Sequence, residues 1–230
     1  MTLSESGSAR TWPARDPLTG NAMKLHASNV TPYGRKVRIV LAELGLGYER
    51  DLTGAAQRPT DELARLNPAL RVPILVDDGQ VLFESTLIIE YLLSRHPGRS
   101  ADAPAPPLAG ALTRPARHWD DRMLQGVLDA LLESTANLRQ LALSGIRPEQ
   151  SSYLQRQQER IQRILDWLEP RADVAGLLPG LFSVQDVTLA CALEFGEGFA
   201  IFPWRGRPRL EALHARLAAR PSVAGTRLPG

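Results

Sequence analysis

Two short polar clusters are where this chain is equipped for chemistry. One is Ser28 with Thr31, in the stretch SNVTPYGRKVRIVLAELGLG (28–47); the other is Glu84-Ser85, directly after an apolar run at 81–83. Each hydroxyl stands where a helix begins. There it can satisfy an orphan amide of the first turn, and hydroxyl and amides together can receive an anionic group of a ligand. For Glu84-Ser85 two readings stay open. Ser85 is an N-cap beside an exposed strand-end carboxylate, or hydroxyl and amides hold a ligand carboxylate while Glu84 takes its ammonium group. An amino-acid-like head group fits the second. The sequence has no G-x-S-x-G, no Walker loop, no G-x-G-x-x-G after a strand and no paired cysteines, so no metal site is expected. His26, His96, His118 and His214 are scattered without ligand spacing and read as structural or surface residues. The lone Cys191 reads as a small core residue.

The first cluster is positioned by a helix. Thr31 occupies the N-cap and Pro32 the first helical position, where a missing amide is no loss. Val37, Val40, Leu41 and Leu44 recur at helical spacing, and Gly45 and Gly47 close the element. Arg35 and Lys36 fall in the first turn, where the positive end of the helix dipole disfavours a cation by roughly 0.3–1 kcal/mol. Either both side chains extend into water, or an anion visits the helix start.

The flanking segments alternate. Strands are expected at 23–27, 48–52, 72–76 and 81–83, the last two joined by the hairpin signal Asp77-Asp78-Gly79-Gln80. A short helix at 60–66 carries Thr60 as N-cap and Asp61 and Glu62 in its first turn, and another helix spans 86–93. The order β-α-β-α-β-β-α wants a parallel pair, then an antiparallel one, in a mixed sheet with helices on its faces. A Pro- and Ala-rich linker at 96–107 separates this 23–95 unit from an all-helical part at 108–230. There, Trp119, Met123, Val127, Leu128, Leu131 and Leu132 make one stripe, and Tyr153, Ile161, Ile164, Leu165 and Leu168 another. A third helix, at 182–199, opens with Ser183 and Asp186 spaced as a capping box between Phe182 and Val187; residues 187–193 are apolar nearly all round, as in a buried central helix.

At 230 residues, 43% hydrophobic and 23% charged, the chain has the balance of an ordinary soluble globular protein. A net charge of +2 argues for neither nucleic acid nor membrane, despite a pI near 9.0. Only Lys24 and Lys36 are lysines among the 27 basic residues, which reads as coding bias. One cysteine excludes an internal disulfide, and residues 1–22 lack the apolar core of a signal peptide. The expectation is a disordered extension at 1–22 on a cytoplasmic protein.

Order and residues together resemble the cytosolic glutathione S-transferases: an α/β thioredoxin-like N-terminal domain, a linker and an all-α C-terminal domain. S-x-x-T-P-Y-x-R-K-V is similar to the S-x-x-S-P-[FY]-x-R-K-V loop of one bacterial group. N-P-A-L-R-V-P-I-L (67–75) is similar to the family's N-P-x-G-x-V-P-x-L, with Leu70 in place of Gly. L-F-E-S matches the glutathione-binding E-S element, S-V-Q-D the capping box, and A-R-P-S-V (219–223) a common ending. The resemblance implies a cis Val72-Pro73 bond, with the Val72 backbone pairing the cysteinyl part of glutathione. It places the γ-glutamyl end on Glu84 and Ser85 and makes Arg58 a candidate for the glycyl carboxylate. The residue before the helix proline, Ser or Cys in relatives, is Thr31. A hydroxyl donor is kept and mixed-disulfide chemistry is not expected. Ser28 competes for the thiolate-contacting role, with Thr31 preferred.

As an activity, the resemblance implies a glutathione transferase that stabilises the glutathione thiolate and conjugates it to an apolar electrophile, with glutathione as co-substrate and no metal. By position, Asn29, Val30, Trp119, Arg122 and Met123 are expected to wall the second-substrate pocket. A homodimer is expected. The alternatives are a non-catalytic, partner-binding protein of stringent-starvation type, or a glutathione-dependent isomerase or dehalogenase.

Overall fold

The computed structural model describes residues 23–52, 61–97 and 118–227. The expected extension 1–22, the loop before the second helix with Arg58 and Thr60, and the linker 96–107 except His96 and Pro97 lie outside the described residues, as do 108–117. Four strands, β1 (Lys24–His26), β2 (Glu49–Asp51), β3 (Ile74–Asp77) and β4 (Gln80–Phe83), form one sheet in the order β2-β1-β3-β4. β2 runs parallel to β1, and β3 antiparallel to both β1 and β4. This is the mixed, thioredoxin-like sheet that a β-α-β unit followed by a hairpin produces. Asp78 and Gly79 turn the hairpin at φ of 48° and 75°, as a two-residue turn matched to strand twist requires.

Helices α1 (Pro32–Glu43), α2 (Asp61–Leu66) and α3 (Ser85–Arg95) belong to the sheet-containing half. Then come α4 (His118–Leu143), α5 (Ser152–Leu168), α6 (Val184–Gly198), α7 (Pro208–Ala218) and α8 (Pro221–Ala224). α6 is buried along most of its length and packs on both α1 and α4. Its start is fixed as expected: Ser183 Oγ accepts the Asp186 amide at 3.3 Å, and Asp186 Oδ2 accepts the Ser183 amide at 2.8 Å. Asp186 Oδ1 also takes the Leu177 amide at 2.8 Å, tying down the preceding loop. Cys191 lies on this helix, wholly buried, its thiol pushed up to about 11 by desolvation; it is a core residue with no reactive role.

The α4 stripe differs from expectation at its start. Leu128, Leu131 and Leu132 are buried, but Trp119 is 74% exposed and Met123 63%. The buried face begins instead with Asp121 and Gln125, which continue to Leu128 and Leu132 at helical spacing. Because polar residues open that face, apolar periodicity pointed to the wrong side of the first two turns. Tyr153 on α5 is likewise exposed, the buried face there running from Leu154 through Gln157 to Ile161.

The largest departure concerns Arg35 and Lys36, which neither extend into water nor face a free helix end. They are 1% and 0% exposed. Lys36 Nζ donates to Asp129 Oδ1 on α4 at 2.9 Å and to Thr86 Oγ1 on α3 at 3.3 Å. Arg35 Nη2 donates to Glu194 Oε2 on α6 at 2.7 Å and to the Val223 carbonyl at 3.1 Å. At the other end of α1, Glu43 accepts both guanidinium arms of Arg220 at 3.1 and 2.8 Å, and the Ser222 hydroxyl. One face of α1 thus packs Val37, Val40 and Leu41 into the core, while its charged face is consumed by the helical half.

Asp129 itself is 37% exposed at the side chain, so truncating it removes a partly solvated partner but strands a fully buried ammonium. Asp129→Ala is expected to destabilise the fold by about 2–3 kcal/mol in denaturant unfolding, and Lys36→Met combined with Asp129→Leu to recover most of that. A double variant as unstable as the single would show that the pair contributes through something other than its unmet charge.

Candidate functional site

Three chain segments meet at one end of the sheet because the register puts them there. His26, the last residue of β1, pairs with Ile74 at the start of β3, and Ile74 pairs with Phe83 at the end of β4. Beyond these level positions lie Ser28 and Thr31, Val72-Pro73, and Glu84-Ser85. The sequence-expected residues of the first half are therefore gathered by topology alone.

After β1 the chain turns into α1 through two hydroxyls. Ser28 Oγ accepts the amides of Val30 at 3.2 Å and Thr31 at 2.9 Å, and Ser28 is buried. Thr31 caps α1, its Oγ1 accepting the Gly34 amide at 3.2 Å. Half-buried rather than sealed, Thr31 keeps its hydroxyl proton free to donate outward. Gly34 is required by the close approach of this turn to β1: a Cβ there would sit 2.9 Å from that of Ala27.

The loop before β3 is built on Asn67. Buried, it accepts the Ala69 amide at 2.9 Å through Oδ1 and donates through Nδ2 to the Arg71 carbonyl at 2.8 Å. Leu70, where relatives of the motif carry Gly, takes a left-handed φ of 56°. Val72-Pro73 is cis. The Val72 amide and carbonyl have no backbone partner among the described residues, so both are available to an extended peptide.

At the end of β4 the two readings of Glu84-Ser85 separate. Glu84, not Ser85, is the N-cap of α3; its side chain caps nothing and is exposed, and its backbone sits at φ 71°, ψ 114°. Ser85 is the first helical residue, buried, its hydroxyl unengaged by other described residues. A non-glycine residue held in that conformation stores about 1–3 kcal/mol of strain. The strain aims a carboxylate outward, beside a hydroxyl and the open amides of a helix start.

Tyr33, which motif reading passed over, stands half-buried in the first turn of α1. Desolvation pushes its phenol up to about 12, with the charges of Glu133 and Asp129 adding to the rise and Arg71 and Glu84 within electrostatic range. It is a neutral donor at physiological pH. The proximity of Glu133 also locates α4 relative to the site. α3 and α4 run antiparallel, with Arg122 Nη1 on Glu90 at 2.9 Å and Thr86 Oγ1 on Asp129 at 3.2 Å. Asp129 and Glu133 therefore face α1. Met123 lies ten residues before Glu133, or roughly 15 Å along the helix; Trp119 and Met123 are exposed there, and Arg122 is engaged by Glu90. Asn29 and Val30 do flank Thr31, with Val30 exposed.

Residues 25–100 match the family described as glutathione S-transferase, N-terminal domain. The chain is 31% identical over 212 residues to an uncharacterized GST-like protein, YibF, of Escherichia coli strain K12, covering 90% of this chain and 99% of that one. It is 41% identical over 80 residues to a stringent starvation protein A homolog of Coxiella burnetii, but there spans only 38% of the relative's length and 35% of its own. A glutathione S-transferase from Methylobacillus flagellatus, solved with glutathione bound, is similar with a TM-score of 0.72 at 26% identity, covering 90% of this chain and all of that one. A family member from Pseudomonas fluorescens Pf-5, also with bound glutathione, has a TM-score of 0.71 at 27% identity, with 91% and 100% covered.

If the left-handed backbone at Glu84 is strained, Glu84→Gly relieves it at the expense of a freer unfolded chain. The net expected gain is about 0.5–1 kcal/mol in denaturant unfolding. A loss of stability would mean that the Glu84 side chain, not its backbone, dominates there.

Proposed function

The chain belongs to the glutathione S-transferase family, and from that premise we propose that it binds glutathione and transfers it, as a thiolate, to an apolar electrophile. The observation that carries this is the convergence at one sheet end of a free helix-capping hydroxyl, an unpaired backbone segment and a carboxylate-hydroxyl pair.

Each part meets one part of the tripeptide. Ser85 and the first amides of α3 take the γ-glutamyl carboxylate, and Glu84 its ammonium. The Val72 backbone pairs with the cysteinyl unit as a short antiparallel strand. Arg58, outside the described residues, is the proposed partner of the glycyl carboxylate. Thr31 donates its hydroxyl to sulfur, with the positive end of α1 behind it. Ser28, buried and already accepting two amides, orients that turn. A free thiol has a pKa near 8.5, and lowering it by two units takes about 2.7 kcal/mol of differential stabilisation. The thiolate then attacks the electrophilic carbon, the carbon–sulfur bond forms, the leaving group departs with its electron pair, and the thiol proton has already gone to solvent. Asn29 and Val30 wall the electrophile's approach on one side, and α4, with Trp119, Arg122 and Met123 in its first turns and Glu133 beyond, is the proposed wall on the other. No described helix is long and apolar enough to cross a membrane, and a cytoplasmic detoxifying enzyme without a metal, assembled as a homodimer, is the reading proposed.

A second reading has its own support: the 41% identity to a stringent starvation protein A homolog falls in one third of the chain. On it, the fold serves partner binding. An isomerase or dehalogenase would share the glutathione contacts and differ only in the electrophile.

Calorimetric titration of glutathione separates glutathione binding from the partner-binding reading. The transferase reading expects saturable binding that Ser85→Ala weakens roughly 10- to 100-fold, the range for a hydrogen bond to a charged group, while Cys191→Ala leaves it unchanged. The same sample is expected to scatter light at twice the 25.2 kDa chain mass. No heat of binding would favour the partner-binding reading, and equal small effects of the two substitutions would remove Ser85 from the site.

A further inference from the structure

The glutathione contacts proposed above leave Tyr33 unused. The loop motif that carries the family resemblance accepts Phe or Tyr at this position, so the ring belongs to the fold and the hydroxyl is this chain's own. The ring is half-buried and packs against the core. Its hydroxyl has no hydrogen-bond partner among the described residues, and it is not one of the sealed polar atoms, so it stays within reach of a bound molecule.

Helix geometry places that hydroxyl. Tyr33 precedes Lys36 by three residues, and residues three apart share a side of a helix. Lys36 Nζ sits between Asp129 on α4 and Thr86 on α3, at 2.9 and 3.3 Å. β1 and β4 are both antiparallel to β3, so α1 and α3, which follow them, begin at the same end of the sheet. One turn nearer the start of α1, the same side therefore meets Glu133, one turn along α4 from Asp129, and the Glu84-Ser85 start of α3. Apart from burial, the groups that act on the phenol are the ones this expects: Glu133 and Asp129 from α4, Arg71 from the loop before Val72, and Glu84. Tyr33 stands where the helical half faces the proposed glutathione site, two residues from Thr31.

Burial pushes the phenol up to about 12, so it keeps its proton across the range in which a glutathione thiolate forms. Thiolate attack on carbon either expels an anion or moves charge onto an oxygen the substrate already carries. An expelled anion would leave past Glu84, Asp129 and Glu133. Addition to an α,β-unsaturated carbonyl expels nothing and gathers the charge on one oxygen, which one fixed O–H can meet. On the reading that this chain transfers glutathione, we propose that Tyr33 is a catalytic residue whose hydroxyl donates to the carbonyl oxygen of the electrophile, and that α,β-unsaturated ketones and aldehydes are the class it favours. The sulfur lone pair forms the bond to the β-carbon. The carbon–carbon π pair moves toward the carbonyl carbon, and the carbonyl π pair moves onto oxygen, where Tyr33 holds it. Water then protonates the α-carbon and the carbonyl is restored; the hydroxide left is neutralised by the proton the thiol released.

The test compares benzylideneacetone, an enone, with benzyl chloride, which also carries a phenyl ring but loses chloride, in glutathione transfer by the full chain and by Tyr33→Phe. Phe fits the same loop motif, so ring packing and Tm are expected to stay. Measured against the uncatalysed rates, the unaltered protein is expected to favour the enone about tenfold or more. Tyr33→Phe is expected to lower kcat for the enone about 10- to 100-fold, the range for a hydrogen bond to a charged group, and turnover of benzyl chloride far less. Glutathione affinity in calorimetry and the midpoint of the pH–rate profile are expected to stay where they were, since the sulfur falls to Thr31. A preference for benzyl chloride, equal losses on both electrophiles, or no loss on the enone while glutathione still binds would overturn the role of Tyr33. Absence of glutathione binding to the unaltered protein would overturn the transfer reading itself, and this proposal with it.

Discussion

The structure depends on the burial of two cations on α1. Lys36 is one of only two lysines in the chain and is fully enclosed, its charge answered by Asp129 and a further donor direction by Thr86. Arg35, one residue earlier, is answered by Glu194. Desolvating such groups is expensive unless geometry and hydrogen bonds are good, and removing one partner is then far worse than never having had the pair. Arg35 ends the first turn of α1 and Lys36 begins the second, near the positive end of its dipole. Only carboxylates from another part of the chain relieve that position, so the helical half is locked to the sheet half by electrostatic need as well as by apolar contact. Glu194 is itself held below the ordinary carboxyl range: burial pushes it up, and His214 and Arg35 more than offset that.

This arrangement bears directly on the site. α1 begins at Thr31, and α3 begins at Glu84-Ser85; Lys36 reaches from the one helix to Thr86 on the other. The α4 carboxylate Asp129 closes the triangle through both Lys36 and Thr86. The two helix starts proposed to hold glutathione are thus braced by one part-buried network around the buried Lys36 ammonium. In front, the chain accepts strain, with Glu84 held at positive φ and Leu70 left-handed in the loop that delivers Val72. Rigid support behind and stored strain in front are the pattern expected where a ligand must find its contacts already in place.

Much of this was legible in the sequence, for reasons that differ from residue to residue. Thr31-Pro32 announced a helix start because capping chemistry is local, and Ser183 with Asp186 did the same for α6. The hairpin at Asp78-Gly79 was legible because few residues tolerate that backbone. Arg35 and Lys36 were visible as an anomaly but not resolvable, since the partner of Lys36 lies 93 residues away and that of Arg35 159, and no local rule names them. The first turns of α4 misled because Asp121 and Gln125 form the buried face there, so the apolar pattern that usually marks a core marked solvent instead. Trp119 and Met123 are exposed where a buried stripe was expected, and Glu133, three turns further along α4, lies within electrostatic range of Tyr33. Glu84 as cap in place of Ser85 was invisible, because a positive φ at glutamate has no sequence signature.

The central claim is that Thr31 and the start of α1 hold glutathione as a thiolate. The most direct test is the ultraviolet absorbance of the thiolate in the protein–glutathione complex, followed against pH in the unaltered protein and in Thr31→Ala. The account predicts a midpoint about two units below the free-thiol value near 8.5, moving back toward it when the hydroxyl is removed. A midpoint at the free-thiol value in the unaltered protein, or one that Thr31→Ala leaves unmoved, would contradict it.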